Sequence, residues 1–341
     1  MEVKTATADP ATDASPKPAH PPRSESFSLA HLSDLHLTTL KNIKIPQLLS
    51  KRMLGYFSWW RKRRVVHSLE IIESLLLDLR NTRPDHIAVT GDLTHLGLPH
   101  EFAEARHWLT LLGNPEQVTL IPGNHEAYAG RDWIRSCAIW APYLSSDVTQ
   151  DFSRTADFFP SLRIRGQVAL IGLCSARPSL PFLAIGSLGK KQLTELAGLL
   201  KKTGEAGLMR IILIHHPPVA GTIKWRKRLT DSDAFHDVLT RHGAELVLHG
   251  HTHTPTLSTL STPAGEIPVI GAPSASELNP SSGRCARYNI YRLQRVGLRW
   301  ELAMSVRVYS RDLGRFIYKE ETTLSVPYFA PTKNLINPGR C

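Results

Sequence analysis

The stretch HIAVTGDLTH, residues 86–95, joins a run of mostly apolar residues to a cluster of polar side chains. A short apolar run bounded by turn residues is typical of a strand buried on both faces. Gly91 permits a tight turn after this run, and Asp92 follows it directly. Ligands of open α/β sheets bind outside the carboxyl ends of the strands. The Asp92 carboxylate is therefore a candidate functional group.

The same arrangement of an apolar run followed by polar donors recurs along the chain. A lone Asp or His after a strand is most often a turn residue or a helix cap, but repeated occurrences in chain order indicate one shared site. The other segments that end in such donors are Ser33–His36, Pro122–Glu126, Ile214–Pro217 and His249–His253.

Apolar runs alternate with segments of helical spacing, which predicts an α/β layered domain. The predicted strands are Phe27–Leu32, His86–Thr90, Gln117–Ile121, Val168–Leu173, Arg210–Ile214, Glu245–Leu248 and Ile267–Ile270. The predicted helices are Val65–Arg80, Pro99–Leu112, Leu188–Lys202 and Asp231–His242. After Cys285 the pattern changes to antiparallel strands, which we expect to complete a second sheet: Tyr288–Leu293, Leu298–Val308 and Arg315–Ser325.

The spacing within the motifs favours convergence of the donors. Asp34 and His36 are two residues apart, so on an extended segment they project to the same side, and His251 and His253 repeat this spacing. Imidazole and carboxylate donors without thiolate suit Mn, Fe, Zn, Co or Ni. An Asp carboxylate can bridge two cations ~3.5–4 Å apart, which activates water and holds a phosphoryl oxygen from two sides.

The order D-x-H, G-D, G-N-H-E, H and G-H-x-H resembles the calcineurin-like metallophosphoesterases over roughly residues 27–275. The resemblance implies a four-layer α/β/β/α sandwich of two mixed sheets. It also implies two divalent metal ions, with Mn²⁺ or Fe²⁺ favoured and Zn²⁺, Co²⁺ or Ni²⁺ as alternatives. Glu126 stands where the family often has Asp.

The resemblance also assigns a role to each donor. It implies that one metal is bound by Asp34, His36 and His253, that Asp92 bridges, and that the other metal is bound by Asn124, His215 and His251. His125 would protonate the leaving oxygen or stabilise the transition state. His95 matches the repair-nuclease branch, in which it would pair with His125; the alternative is a loop histidine that faces solvent.

Composition sets the expected domain organisation. We expect a disordered tail at residues 1–26 and a second tail at 327–341 around one domain, residues 27–326, with a basic aromatic insertion at 38–66 and a β-rich completion at 285–326. The four cysteines form no CxxC pair, which favours a reducing cytoplasm. No run approaches the ~20 apolar residues of a membrane-spanning helix.

The net charge of +11 favours an anionic partner: a phosphorylated substrate, an acidic membrane surface or, less favoured, nucleic acid. Two clusters mix Trp with Lys and Arg, and from them we predict the substrate-binding residues Arg61, Arg64, Lys224 and Arg226. The first cluster, Lys41–His67, suits either a helix on an anionic membrane at the inner face or a cap helix packed on the domain.

The motifs predict hydrolysis of a phosphodiester or pyrophosphate bond and leave the substrate open. The first hypothesis is an enzyme similar to UDP-2,3-diacylglucosamine pyrophosphatases. The alternatives are a class III cyclic-nucleotide phosphodiesterase acting on cAMP, a nuclease and a non-catalytic scaffold. All seven ligand positions are filled, which argues against the scaffold.

Overall fold

The computed structural model describes residues 26–40, 43, 48, 51–60, 69–128, 133–147, 158–279, 284–327 and 329. Both expected tails fall outside these ranges apart from Ser26, Pro327 and Phe329. Arg61 and Arg64 lie outside them as well. The expected division into tails, one domain and an insertion stays a prediction.

The first sheet has six strands, and its centre is formed by the first strand of the chain. β1 (Ser26–Leu32) pairs in parallel with β2 (His86–Val89) and antiparallel with β10 (Arg287–Val296), so this sheet is mixed. In the order β12-β11-β10-β1-β2-β3, the strands are β1 (Ser26–Leu32), β2 (His86–Val89), β3 (Val118–Leu120), β10 (Arg287–Val296), β11 (Arg299–Ser310) and β12 (Arg315–Leu324).

The second sheet also has six strands, with a parallel centre and an antiparallel strand at each edge. In the order β4-β5-β6-β7-β9-β8, its strands are β4 (Ser161–Arg165), β5 (Val168–Gly172), β6 (Met209–Leu213), β7 (Leu246–His249), β8 (Thr256–Thr262) and β9 (Gly265–Gly271).

Alternate side chains along a central strand point to opposite faces of the sheet, so each strand contributes to two apolar cores. In β6, Met209, Ile211 and Leu213 belong to the apolar core between the two sheets, whereas Ile212 and the following Ile214 pack with the outer helices. Because one face of each sheet packs on the other sheet and the opposite face packs on helices, the sequences of the central strands are continuous apolar runs. The result is the four-layer α/β/β/α sandwich expected from the sequence.

Helices cover the outer faces of both sheets. The helix Pro99–Leu112, here called α3, begins with a proline, whose missing N–H would have had no partner in the first turn. The Glu101 carboxylate accepts a hydrogen bond from the Leu98 N–H at 2.9 Å. The helices are α1 (Lys51–Ser58), α2 (Leu69–Thr82), α3 (Pro99–Leu112), α4 (Trp133–Cys137), α5 (Ala141–Leu144), α6 (Lys190–Glu205) and α7 (Ser232–His242).

The position of the C-terminal strands corrects the expectation that they complete a second sheet. β10, β11 and β12 extend the first sheet, because β10 pairs antiparallel with β1. Their alternation predicts antiparallel pairing but carries no information on which open sheet edge they join. The edges of the second sheet are instead formed by β4 and β8, in which Ser, Thr or Arg residues interrupt the apolar ones, so that both strands give weak apolar signals.

Candidate metal centre

The expected donors meet where the carboxyl ends of the two sheets come together. Asp34, His36, Asp92 and His253 place one ligand atom each within 4.8 Å of one another, and so do Asp92, His215 and His251. Asp92 belongs to both groups. Its Oδ2 lies 3.3 Å from His215 Nε2, so its carboxylate stands between the two groups.

The seventh expected donor, Asn124, joins the second group. Its Oδ1 lies 3.1 Å from His215 Nε2. In the first group, Asp34 Oδ1 lies 3.2 Å from His253 Nε2. All seven expected metal ligands therefore come together, and their chemistry matches that of a pair of divalent cations.

Five of the seven donors have a left-handed backbone, which corrects the expectation that the donor pairs lie on extended segments. φ is +51° at Asp34, +44° at His36, +58° at Asp92, +70° at His251 and +55° at His253. Residues with a Cβ rarely adopt this conformation. The side chains thus converge through sharp turns just past the strands, at a conformational cost that is typical of functional sites.

Two glycines permit this convergence. A Cβ at Gly123 would lie 2.2 Å from Asp92 Oδ1, and a Cβ at Gly250 would lie 1.8 Å from Ser33 Oγ. Any side chain at either position would push a donor loop out of place. Glycine is required at these two positions because neighbouring side chains approach the backbone closely, and not because the backbone has a positive φ.

Carbonyl oxygens behind two of the imidazoles, His36 and His215, orient these rings toward the centre. Nδ1 of His36 lies 2.9 Å from the Thr94 carbonyl oxygen, and Nδ1 of His215 lies 2.6 Å from that of Thr90. Because a carbonyl can only accept, each Nδ1 carries the hydrogen. The lone pair of each ring is then on Nε2, the nitrogen that faces the carboxylates, as a metal ligand requires.

His251 provides an independent test of whether a cation fits. Its main-chain N–H donates to Asp34 Oδ2 at 2.9 Å, and its ring is buried. Among the described residues, its Nε2 is a buried nitrogen with no hydrogen-bond partner. Such atoms are rare in folded proteins, and a metal ion bound by this nitrogen accounts for it.

The electrostatics of the centre favour positive charge. Burial opposes protonation of His215 and His253, but the Asp92 carboxylate raises the pKa of His215, and the Asp34 carboxylate that of His253, each to about 9. Burial, with the neighbouring His216 and His215, lowers the pKa of His251 well below its usual value. The negative field that raises the first two pKa values also attracts divalent cations, which compete with protons for the imidazole nitrogens.

His125 stands beside the centre but in neither donor group. Its main-chain N–H donates to Asp92 Oδ1 at 2.8 Å, and its Nδ1 lies 2.6 Å from the His95 carbonyl oxygen. Nδ1 therefore carries a hydrogen, and Nε2, 4.0 Å from Asp92 Oδ2, faces the cavity. In this orientation, Nε2 can exchange a proton with a bound substrate.

His95 contacts His125 through its backbone carbonyl, whereas the sequence favoured either a side-chain pair or a solvent-facing ring. The His95 ring is buried and stacks on His36, with centroids 5.0 Å apart and an interplanar angle of 8°. The solvent-facing alternative is therefore wrong. The ring instead supports a donor of the first group.

Glu126 holds two donor loops together, a role that its place in the motif does not reveal. Its carboxylate accepts hydrogen bonds from the N–H groups of Asp92, Leu93, Thr94 and Gly123 at 2.6–2.9 Å. Burial raises the pKa of this carboxyl to about 7, with a further contribution from Asp92. The four backbone donors favour its charged form.

Glu277 is a residue of the centre that the sequence did not single out. Its Oε2 lies 3.0 Å from His253 Nδ1, and its Oε1 lies 3.2 Å from Arg284 Nε. The residue lies 24 positions after His253 and belongs to no motif. A carboxylate behind a ligating histidine fixes the ring and raises its basicity.

We expect Glu277→Gln to weaken divalent-metal binding by about 10–100-fold, because partners behind ligating histidines contribute to metal affinity to this extent. Isothermal titration of the metal-stripped protein with Mn²⁺ measures the effect directly. Glu301→Gln, at an exposed position on β11, is the matched control. Equal affinities in the two variants would contradict a role for Glu277 at the centre.

A cavity of about 400 Å³ opens over the centre. The predicted substrate-binding residues Lys224 and Arg226 line it, together with Lys227. The aromatic side chains of Trp59, Tyr128 and Phe182 also line it. Trp59 belongs to the first basic aromatic cluster, whereas the sequence did not single out Tyr128 and Phe182. Cationic and aromatic groups thus face one space beside the donors.

Comparison with known proteins agrees with this geometry. A model of the calcineurin-like phosphoesterase family matches residues 27–255. The chain is 28% identical to a probable cyclic nucleotide phosphodiesterase of Rhodococcus erythropolis over 257 residues, 74% of this chain and 72% of that protein. It is 27% identical to a probable cyclic nucleotide phosphodiesterase of Synechococcus sp. over 179 residues, 52% of this chain and 60% of that protein.

The fold is also similar to a solved structure. A dimetal phosphatase from Danio rerio matches with a TM-score of 0.58 and 14% identity, over 89% of this chain and 99% of that chain. Within the described ranges, no helix has the length and apolar character needed to cross a bilayer. With its family model, its sandwich fold and a cluster of donors that suits two metals, the chain belongs to the calcineurin-like phosphoesterases, a family of metal-dependent phosphoester hydrolases.

Proposed function

We propose that this chain is a dinuclear-metal-dependent phosphodiesterase that hydrolyses a phosphodiester or pyrophosphate bond of a nucleotide. The observation that carries the proposal is that the Asp92 carboxylate belongs to both donor groups at the floor of the cavity. A shared carboxylate is the arrangement that holds two cations close enough to act on one phosphoryl group.

In this proposal the two donor groups hold the metals, with Asp92 shared. The first site comprises Asp34, His36, Asp92 and His253, and the second Asp92, Asn124, His215 and His251. Two bound cations supply Lewis-acid polarisation of the phosphoryl group and lower the pKa of water. Hydrogen bonds behind His36, His215 and His253 hold these three rings in place before the substrate arrives.

His125 is the proposed proton donor to the leaving oxygen. Its Nδ1–H is engaged by the His95 carbonyl, so the ring cannot turn freely and Nε2 stays directed into the cavity. A protonated Nε2 can donate to the oxygen that departs from phosphorus.

A nucleotide fits the lining of the cavity. The Trp59 ring lines the cavity and can stack with a base, and Lys224 and Arg226 offer charge for phosphate oxygens. The cavity volume is within the ~300–1,000 Å³ of small-ligand pockets. The relatives named as probable cyclic nucleotide phosphodiesterases make a cyclic nucleotide such as cAMP the first candidate.

A second candidate is a UDP-linked acylated sugar, cleaved at its pyrophosphate. The observation that favours it is the exposure of large apolar side chains at the mouth of the cavity, with Phe182 77% exposed. Acyl chains need such apolar contacts, whereas a cyclic nucleotide does not. The two candidates share the reaction at phosphorus and differ in the group beyond it.

One metal-loaded preparation should be assayed against several substrates in parallel. We expect Mn²⁺-dependent cleavage of bis-p-nitrophenyl phosphate, and turnover of cAMP or of the UDP-linked acylated sugar well above that of single-stranded DNA. Metal-stripped protein is the control. Cleavage restricted to the monoester p-nitrophenyl phosphate would overturn the phosphodiesterase assignment, and preferred cleavage of DNA would make the chain a nuclease.

A further inference from the structure

Three neighbouring segments form a continuous surface around the mouth of the cavity, here called the rim: residues 51–60, 178–186 and 217–230. Lys51 Nζ donates to the Leu183 carbonyl oxygen at 2.8 Å, and the Ala184 N–H donates to the Arg226 carbonyl oxygen at 2.9 Å. Each segment also contributes residues to the cavity lining. The rim is therefore one surface built from parts that are distant in sequence.

Large apolar side chains are exposed on all three segments of the rim. Isolated exposed apolar residues are ordinary, but several on one surface mark an interaction site. They are Met53 (61% exposed), Phe57 (56%), Trp60 (50%), Leu180 (72%), Phe182 (77%) and Trp225 (64%).

Helix α1 shows that this exposure is not a by-product of packing. Its inward side already packs through Tyr56 and, just after the helix, Trp59 against the small cluster of Leu40, Leu96 and Leu98. Gly55 lets the helix approach closely, because a Cβ there would lie 2.3 Å from the Tyr128 hydroxyl. The packed side corresponds to the cap helix expected from the sequence. The exposed residues form a second apolar stripe, at spacings of four and three residues, on another side.

Phe182 is held outward at a backbone cost. Its φ is +66°, a conformation that is a genuine outlier for a bulky residue. Such strain persists where the surrounding structure imposes it and is concentrated at functional positions. The ring is exposed despite this cost, so hydrophobic burial within the chain does not explain its position.

The charge of the rim has one sign. None of its three segments contains an Asp or Glu, while the 217–230 segment carries four exposed cationic residues: Lys224, Arg226, Lys227 and Arg228. Cations interleaved with exposed apolar and aromatic side chains match the two layers of an anionic bilayer surface, the headgroups and the outermost acyl carbons.

We propose that the rim docks this protein on an anionic lipid bilayer, with the mouth of the cavity facing the membrane. The aliphatic Met53 and Leu180 can insert among acyl chains but cannot stack on bases as nucleic-acid-binding aromatics do. Pairing of two copies through the rim would bring two cationic surfaces together, which is unfavourable. A bilayer is the partner that uses both the apolar and the cationic residues.

Cosedimentation of the full-length protein with vesicles tests the proposal. We expect binding to vesicles that contain phosphatidylglycerol, weaker binding at high salt, and little binding to phosphatidylcholine alone. Because this assay does not involve turnover, its failure is distinguishable from failure of the proposed hydrolysis. Equal binding to neutral vesicles, or no binding to anionic ones, would overturn the proposal.

Matched leucine variants locate the surface. Leu180→Ser should lower vesicle binding by about tenfold, and Leu180→Ser with Trp225→Ser by more. Leu298→Ser, at the turn between β10 and β11, is the control, because Leu298 is 65% exposed but lies outside the rim. Thermal melting checks that each variant is folded. Docking through the rim would be contradicted if Leu180→Ser and Leu298→Ser lost vesicle binding equally. It would also be contradicted if Leu180→Ser abolished dimerisation, or if single-stranded DNA displaced the vesicles.

Discussion

Asp92→Asn should lower turnover of bis-p-nitrophenyl phosphate by at least ~10³-fold, since loss of several kcal/mol of metal-assisted stabilisation has this effect on rate. The carboxylate belongs to both donor groups and accepts the His125 N–H at 2.8 Å. Asparagine keeps the shape of the side chain and one oxygen, but it removes the negative charge that two cations share. The expected loss is therefore in catalysis and metal content rather than in folding.

Initial rates at saturating Mn²⁺, together with metal content by mass spectrometry, measure the effect of Asp92→Asn. Asp312→Asn, at the exposed turn between β11 and β12, removes a carboxylate that belongs neither to the cavity lining nor to a donor group, and is the control. A fully active Asp92→Asn variant would end the assignment of the centre.

His125→Ala should lower turnover by about 10²–10⁴-fold, the range associated with a positioned general acid or base. His125 belongs to neither donor group, so we expect the variant to retain its metals. Its loss should also depend on the substrate. A p-nitrophenolate ion departs readily without a proton, whereas the alkoxide of a cyclic nucleotide does not.

Comparison of the two leaving groups separates proton transfer from a structural role. The His125→Ala variant should lose a smaller factor on bis-p-nitrophenyl phosphate than on an alkyl phosphodiester, with His107→Ala, at an exposed position of α3, as control. An equal loss on both substrates, or loss of the metals, would assign His125 to positioning rather than to proton donation.

The strands and the donors could be predicted because both are local properties of the chain. Helix α3 begins at Pro99 and ends at Leu112, as its apolar spacing, its first residue and the glycine after it predict. Each donor follows a buried strand directly, and parallel strands bring their carboxyl ends to one edge. The fold class is thereby confirmed, while the ligand and catalytic roles stay predictions.

The features that sequence reasoning missed depend on contacts between distant residues. Glu277 meets His253 only because β9 lies beside β7, and Glu126 reaches the loop after β2 only because β3 pairs with β2. The left-handed backbone at Asp34 and His36 carries only a weak sequence signal, because Asp and His adopt this conformation more often than most residues but still uncommonly. β10 joins the first sheet because the edge of β1 is free to pair with it, and the alternation of apolar residues in β10 does not indicate which sheet edge is free.

The Glu126 carboxylate fixes the donor loops from inside the molecule, which has a consequence for the evolution of the enzyme. The loops after β2 and β3 are joined through this side chain and through the hydrogen bonds of His125 to Asp92 and His95. Segments that line the entrance, such as residues 51–60, can therefore change without altering the spacing of the donors. Substrate preference can diverge by remodelling of the entrance while the chemistry at phosphorus is inherited unchanged.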